Sequence, residues 1–234
     1  MSGGPPQYRY TIGTPSPEPG RITTSPRELR DIGIAYAVLT ADIFLILSGS
    51  TLLSQASGIG FVWSLPTLIL AAVAALTGFL LHELAHKIAA ERRHAWAEFR
   101  MFPGGLVLSL FTSLLGFLFA APGATVVGGM RSTREWGETS LAGPLTNFGF
   151  AASFFAASDL VGITGSLGVV YQALVILAFF NGWFATFNLI PLGPLDGRKV
   201  LGWSPFAWTA SIVGSGVVTI LAFGTNILGH PLFV

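Results

Sequence analysis

Cysteine is absent from this 234-residue sequence, and charged residues are scarce. The lack of cysteine excludes disulfide bonds, so any metal site must use His, Asp or Glu side chains. Charged residues make up 10% of the chain, against about 25% in an ordinary soluble domain. Because 52% of the residues are hydrophobic and the mean hydropathy is +0.68, the composition predicts a membrane protein. The expected partner is a lipid bilayer and not nucleic acid.

The apolar residues gather in blocks long enough to cross a bilayer, which takes about 20 residues of helix. Four blocks are long, and a fifth is less apolar but rich in small residues, which let helices pack closely in lipid. They predict an all-α membrane protein, a bundle of about five to six transmembrane helices in one domain over residues 31–234. Residues 1–30, rich in Pro, Gly, Ser and Thr, are predicted to be a disordered cytoplasmic tail. The blocks are residues 32–53, 65–88, 140–160, 169–190 and 205–223.

Residues 106–121 form a shorter apolar segment between two turns that contain Pro and Gly. If this segment enters the membrane and returns, all the basic patches lie on one side; if it crosses, the last two move to the other side. Cytoplasmic loops are enriched in Lys and Arg, so the charges favour a re-entrant segment. They also predict a multi-pass protein of the cell membrane with a cytoplasmic N-terminus. The patches are Arg9, Arg21, Arg27 and Arg30; Lys87, Arg92, Arg93 and Arg100; Arg131 and Arg134; and Arg198 and Lys199.

The stretch HELAH at residues 82–86 lies at the end of an apolar block. His82 and His86 are four residues apart, so on a helix both rings lie on one face and can bind a single ion. Glu83 lies beside that ion without needing to ligate it, which suits a base that takes a proton from water. The alternative is a pair of interior histidines, with Glu83 ion-paired to its i+4 neighbour Lys87. Ionisable side chains in an apolar block are costly and usually functional, which favours a zinc site.

A catalytic zinc site with two histidines needs a third protein ligand. Asp196 follows the block at 169–190 and precedes two basic residues, as the histidines also precede a basic patch. Under the re-entrant topology, both halves of the site lie at the cytoplasmic face. Pro191 and Pro194 are predicted to break the helix, and Gly197 to allow a tight turn. Asp196 is therefore predicted to be the third ligand, and the alternative is an Asp in a helix-terminating turn.

Three motifs together resemble the site-2 proteases, which are zinc intramembrane metalloproteases. They are HELAH at 82–86, AGPLTN at 142–147 and FNLIPLGPLDG at 187–197, and they order a catalytic core over residues 65–201. The chain resembles the compact members, without PDZ or CBS domains. The resemblance implies one zinc ion with His82, His86 and Asp196 as ligands, Glu83 as the catalytic residue, and polar roles near the site for Asn147 and Asn188.

The function expected from these motifs is endopeptidase cleavage of transmembrane helices in membrane-anchored substrates near the cytoplasmic face, as in regulated intramembrane proteolysis. The carbonyls of a substrate helix are hydrogen-bonded within it, so the helix must unwind. Backbone at residues 99–105 and 124–129 could offer it a strand edge, or could be plain connecting loops. Asn147 could donate to the developing oxyanion, or make an interhelical hydrogen bond. Asp42 lies inside an apolar block without a basic partner in sequence, and it has no assigned role.

Two other functions stay open. A membrane-anchored zinc peptidase could cut soluble or loop segments, but that function gives no reason for the motif at 187–197. A non-catalytic relative could keep the fold alone, but the intact Glu83 argues against it. A homo-oligomer is left open as well.

Overall fold

The computed structural model describes residues 22–52, 64–164 and 168–228, and the rest of the predicted tail lies outside the described residues. The described chain is mostly helical, with one small antiparallel sheet of two strands. The elements in chain order are α1 (Pro26–Leu47), α2 (Leu65–Glu91), β1 (Trp96–Met101), α3 (Pro103–Leu115), β2 (Gly123–Gly128), α4 (Thr133–Thr164), α5 (Gly168–Asn188), α6 (Asp196–Trp203) and α7 (Pro205–Leu228).

Helix α1 begins earlier than the sequence analysis placed it. Ser25 caps the helix by accepting a hydrogen bond from the backbone N–H of Glu28, at 3.1 Å, and Pro26 occupies the first turn, where its missing N–H costs nothing. Residues 26–30, assigned above to the disordered tail, are therefore helical. The polar composition of this stretch suggested disorder, but the cap and the burial of Glu28 against the rest of the fold both stabilise the helix.

Helix α2 carries the HELAH stretch and contains a π-helical turn at Leu76–Leu80, just before it. Two buried asparagines hold this turn from neighbouring helices. Asn147 on α4 donates to the Gly78 carbonyl at 2.8 Å, and Asn181 on α5 donates to the Thr77 hydroxyl at 2.8 Å. A π turn leaves its carbonyls out of the ordinary i to i+4 pattern, so outside donors can use them. The turn thereby fixes the position of α2 relative to α4 and α5.

The main hydrophobic core lies where α1, α2 and α5 meet β1. Leu39 and Ile43 of α1 are fully buried and belong to the same cluster as the small side chains of Ala71, Ala74 and Ala75 on α2. Small residues allow two helix backbones to approach closely in lipid, where burial of apolar surface gives little driving force. The core therefore packs against the first half of α2 and so supports the second half, which carries the histidines.

The segment between the two strands leaves the sheet and comes back to it. Met101, at the end of β1, pairs with Gly123, at the start of β2, and Phe102 donates from its backbone N–H to the Pro122 carbonyl at 2.8 Å. Between them α3 has only 13 residues and ends at Gly116, whose φ of +106° reverses the chain. Both ends of residues 102–122 thus lie side by side, which is the geometry of an excursion that returns.

The sheet also shows how far the predicted strand edges were correct. Extended backbone was expected at residues 99–105 and 124–129, and strands are present at Trp96–Met101 and Gly123–Gly128. The strand in the first stretch stops at Met101 because Pro103 begins α3. The all-α prediction did not include this sheet, because neither strand is long or apolar enough to be distinguished from a connecting loop by its sequence.

The outer edge of β1 is closed by an ion pair from two helices. Glu28 of α1 accepts from the Phe99 backbone N–H at 3.0 Å, while Lys87 of α2 donates to the Ala97 carbonyl at 2.8 Å. The two side chains also pair with each other at 3.0 Å, and Lys87 lies 3.3 Å from Glu91. A buried charge pair is tolerated when its remaining hydrogen bonds are satisfied, as the strand backbone satisfies them here.

Asp42, which the sequence could not place, joins α1 to α3. Its carboxyl group accepts a hydrogen bond from the Ser113 hydroxyl at 3.1 Å, and both side chains are fully buried. No basic side chain contacts Asp42 in the part of the chain that the structure describes. The contact holds α3 against α1.

Three helices of the described part are long and apolar enough to cross a membrane: Leu65–Glu91, Gly168–Asn188 and Pro205–Thr225. Helix α1 has 22 residues and α4 has 32, but both carry charged side chains near their starts. The chain is a mostly helical membrane protein. The count of five to six spans stays a prediction.

Candidate metal centre

His82 and His86 lie one turn apart on α2, directly after the π turn, and both are buried. Their Nε2 atoms are 3.0 Å apart. The Nδ1 atom of His86 lies 2.8 Å from the Thr139 carbonyl on α4. A carbonyl can only accept, so Nδ1 carries a hydrogen, and Nε2 is the ring atom that faces His82 and is left to bind a metal. A hydrogen bond from Nδ1 to a carbonyl is the arrangement that metal-binding histidines commonly have.

Asp196 reaches the histidines from the first turn of α6. Helix α5 ends at Asn188, and Gly193, with a φ of +51°, turns the chain before α6 begins. Gly197 has a different role from the predicted tight turn: any Cβ there would overlap the Leu189 carbonyl, so its lack of a side chain lets α6 lie against the end of α5. The Asp196 Oδ2 atom is 2.9 Å from His86 Nε2 and 3.5 Å from His82 Nε2.

The charge state of Asp196 follows from its surroundings. Burial acts to raise the pKa of its carboxyl, but the positive charge of His86, hydrogen bonds from the His82 and His86 rings and the Lys199 ammonium hold that pKa below its ordinary value. Lys199 lies 3.5 Å away, one turn along α6. The carboxylate therefore stays ionised and supplies a negative ligand atom.

The three ligand atoms fit a single zinc ion. They lie within 4.8 Å of one another, at separations of 2.9 to 3.5 Å. Ligands at 2.0–2.2 Å in a tetrahedron are about 3.3–3.6 Å apart, so only small adjustments are needed. At 3.0 Å the two Nε2 atoms can share either one hydrogen or a metal ion. Two His nitrogens and one carboxylate oxygen form a donor set typical of catalytic zinc.

Glu83 faces β2 and not Lys87. Its Oε2 atom accepts two hydrogen bonds from Thr125, one from the backbone N–H at 2.9 Å and one from the hydroxyl at 2.8 Å. The alternative ion pair with Lys87 is not formed, because Lys87 bonds to Glu28 and to β1 instead. Thr125 was not identified from the sequence, since nothing in the order of residues places it near HELAH.

A cavity of about 90 Å³ joins the metal cluster, Glu83 and the start of β2. A water needs roughly 10–15 Å³ of such space, so the cavity has room for an ion and several waters. Gly123, Thr125 and Asn188 contribute to its walls, and Asn188 donates its amide to the Phe184 carbonyl on its own helix at 2.9 Å. Asn188 therefore lies beside the cluster, and a role for it in the site stays a prediction.

Asn147 lies next to this region but does not line the cavity. Its amide nitrogen is used by the Gly78 carbonyl, which is the interhelical hydrogen bond given above as the alternative to an oxyanion role. Its amide oxygen is buried without a partner among the described residues. The structure thus relates Asn147 to the π turn.

Gly143 is a further site residue that sequence reasoning missed. A Cβ at this position on α4 would overlap the Nε2 atoms of both His82 and His86. Only glycine leaves space there for the two rings. The AGPLTN motif contains this glycine, and a close approach of α4 to the histidines could have been suspected from it.

The fold and the cluster define the class: a mostly helical membrane protein with a buried cluster of two His and one Asp that could hold one metal ion. Comparison with known proteins finds zinc metalloproteases. The chain is 37% identical over 172 residues, 70% of its length, to "Putative zinc metalloprotease MJ0611" of Methanocaldococcus jannaschii, of which it covers 87%. It is 30% identical over 131 residues, 56% of its length, to "Putative zinc metalloprotease Rip3" of Mycobacterium tuberculosis, of which it covers 29%.

The chain therefore belongs to this family of zinc metalloproteases, and its cofactor is zinc. No protein-family model matches the chain, and no solved structure matches it.

Proposed function

We propose that this protein is an intramembrane zinc endopeptidase of the site-2 protease type, which cleaves transmembrane helices near the cytoplasmic face. The observation that carries the proposal is the shared cavity: His82, His86 and Asp196 open into the same space as Glu83 and the start of β2. These groups lie on or beside an apolar helix of 27 residues, Leu65–Glu91. The proposed setting is a multi-pass protein of the cell membrane with residues 1–30 in the cytoplasm.

His82, His86 and Asp196 are the proposed zinc ligands. Bound there, zinc would act as a Lewis acid that polarises the scissile carbonyl and lowers the pKa of water toward about 7. Glu83 is the proposed general base: it takes the proton of the attacking water and then gives a proton to the leaving amine. The proton taken from water is the one given to the amine, so Glu83 is again a carboxylate after the two transfers.

Substrate binding needs an extended peptide, and β2 has an edge suited to it. The hydrogen bonds within a substrate helix must be broken before one of its peptide bonds can be attacked. Among the described residues β2 pairs only with β1, and Gly123 on its other edge lines the cavity. A substrate strand added to that edge would be held by main-chain hydrogen bonds beside the metal centre.

A membrane-anchored peptidase that cuts soluble segments is the second candidate, and one experiment separates the two. The purified zinc-loaded protein in liposomes is given a transmembrane substrate and, separately, its cleavage sequence as a soluble peptide. Intramembrane cleavage predicts that the embedded substrate is the better one. Faster cleavage of the soluble peptide, with the embedded substrate left intact, would favour the second candidate.

Glu83→Gln tests the mechanism in the same assay. Loss of the base should reduce kcat by about 10²- to 10⁴-fold while zinc stays bound, since all three ligands remain. Glu135→Gln is the matched control, because it removes a carboxylate at the start of α4, outside the cavity. Cleavage by Glu83→Gln at the rate of the control would refute the assignment of Glu83.

A further inference from the structure

Thr125 makes an unusual double contact with the proposed base. Its backbone N–H donates to Oε2 of Glu83. Its hydroxyl lies 2.8 Å from the same oxygen and 3.3 Å from the Glu83 carbonyl, so the side-chain oxygen is its nearer acceptor. Glu83 is buried, and hydrogen bonds to an ionised acceptor are stronger than neutral ones. These two bonds are the contacts by which β2 holds the Glu83 side chain.

The backbone N–H of Thr125 also belongs to the edge proposed to receive substrate. Phe99 and Thr125 are partners in the sheet, yet the N–H of Phe99 points outward to Glu28 and that of Thr125 points outward to Glu83. They therefore form a non-hydrogen-bonded pair of the antiparallel ladder. By the same alternation Gly123 and Val127 direct their N–H and carbonyl groups to the outer edge of β2.

One N–H cannot make a full hydrogen bond to Glu83 and to a substrate carbonyl at the same time. The hydroxyl of Thr125 is not under this constraint, because side chains stand roughly perpendicular to the sheet and take no part in edge pairing. A substrate strand paired with β2 would therefore accept from the backbone N–H of Thr125 and leave the Thr125 hydroxyl bonded to Glu83.

On the basis of the proposed function, we propose that Thr125 is a positioning residue. It links the pairing of a substrate strand with β2 to the position of Glu83, the proposed general base. Its N–H passes from Glu83 to a substrate carbonyl when a strand pairs with β2, and its hydroxyl keeps the Glu83 carboxylate in place during the reaction. No atom is transferred covalently in this step; one hydrogen-bond donor changes its acceptor.

Two substitutions at Thr125 test the role of the hydroxyl. Thr125→Val keeps shape and removes the donor, so kcat should fall by about ten- to a hundredfold, the loss of one hydrogen bond to a charged group, with KM and zinc content little changed. Thr125→Ser keeps the donor and should restore most of kcat. A packing role predicts the reverse order, because serine loses the methyl that valine keeps, and that order would overturn the proposal.

Amide hydrogen exchange tests the contact without any activity. In the zinc-loaded wild type the Thr125 amide should exchange slowly, and in Glu83→Ala it should exchange at least about tenfold faster, since its acceptor is gone. The amides of Ala124 and Val126, which point to β1, are internal controls and should stay protected in both proteins. Equal protection of Thr125 in the two proteins would overturn the proposal.

The two measurements also separate the inference from the proposed function. If the wild type fails to cleave any membrane substrate, the proposed function is refuted, and amide exchange still decides whether Thr125 holds Glu83. If the wild type cleaves and Thr125→Val cleaves equally well, only the inference about Thr125 is refuted.

Discussion

Gly143 offers the sharpest test of the metal centre, because it is not itself a ligand. It lies on α4 where that helix passes the two histidine rings. Gly143→Ala adds one methyl group to a helical position, where alanine is otherwise the preferred residue. Any loss of zinc binding would therefore come from the space that the methyl takes and not from a weaker helix.

The size of the effect follows from the geometry. The added Cβ would lie 2.6 Å from His82 Nε2 and closer still to His86 Nε2, whereas ordinary contacts begin at 3.4 Å. The His82 ring would have to retreat by about 0.8 Å, several times the roughly 0.2 Å tolerance of a zinc–ligand distance. Loss of an outer-shell contact alone costs about 10- to 100-fold in metal affinity, so we expect at least about 100-fold here.

The assay is competition for zinc between the purified protein and a chelator of known affinity. Gly149→Ala is the matched control, since it lies on the same helix and a Cβ there meets nothing within 4 Å. Its affinity for zinc should equal that of the wild type. If Gly143→Ala binds zinc as tightly as Gly149→Ala, the metal does not lie between the two Nε2 atoms, and the reasoning fails.

Two further predictions concern a ligand and an ion pair. Asp196→Ala should lose zinc as strongly as loss of a histidine ligand does, because each removes one of three protein ligands; tight zinc in this variant would exclude Asp196 from the site. Arg134 and Arg93 hold the pKa of Glu138 below its ordinary value, so this stabilisation is complete above the unfolded pKa and is lost as pH falls through the lowered one. Arg93→Ala should therefore cost about 0.2–1 kcal/mol more stability at neutral pH than in strong acid, as measured by thermal unfolding at the two pH values; an equal loss at both would contradict it.

The parts of the site that could be predicted from sequence are those set by local periodicity or by charge. The spacing of His82 and His86 fixes their common face on any helix. Asp196 lies more than a hundred residues further on, and it could be proposed only because the basic patches imply that both motifs reach the same side of the membrane. The structure brings the three residues together.

The parts that could not be predicted depend on contacts between distant elements. Thr125 meets Glu83 only because β2 returns beside α2, and a six-residue strand in a glycine-rich stretch carries little signal. The π turn in α2 is invisible to a pattern analysis, since it changes the backbone and not the composition. Asp42 has no partner nearby in sequence, because Ser113, which bonds to it in the fold, lies on α3.

Lys87 shows how a reasonable local pairing can lose to a distant one. At i+4 from Glu83 it suits an ion pair worth about 0.2–0.5 kcal/mol on a helix surface. In the fold it bonds to the Glu28 carboxylate and to the Ala97 carbonyl, and both it and Glu28 are buried. Charged hydrogen bonds in a buried setting are worth more, at about 1.5–3 kcal/mol each, so the distant partners prevail and Glu83 is left to face the cavity.

The closed outer edge of β1 and the alternation along β2 have a consequence for where a bound chain would be cut. With Glu28 and Lys87 occupying one side of the sheet, a peptide can add only beside β2. Outward-facing backbone groups recur there at every second residue, at Gly123, Thr125 and Val127. A paired chain that slips by one residue loses its hydrogen bonds, whereas a slip of two restores them. Alternative cleavage sites in one substrate would then be spaced two residues apart, and mass spectrometry of the products would show fragments that differ by residue pairs.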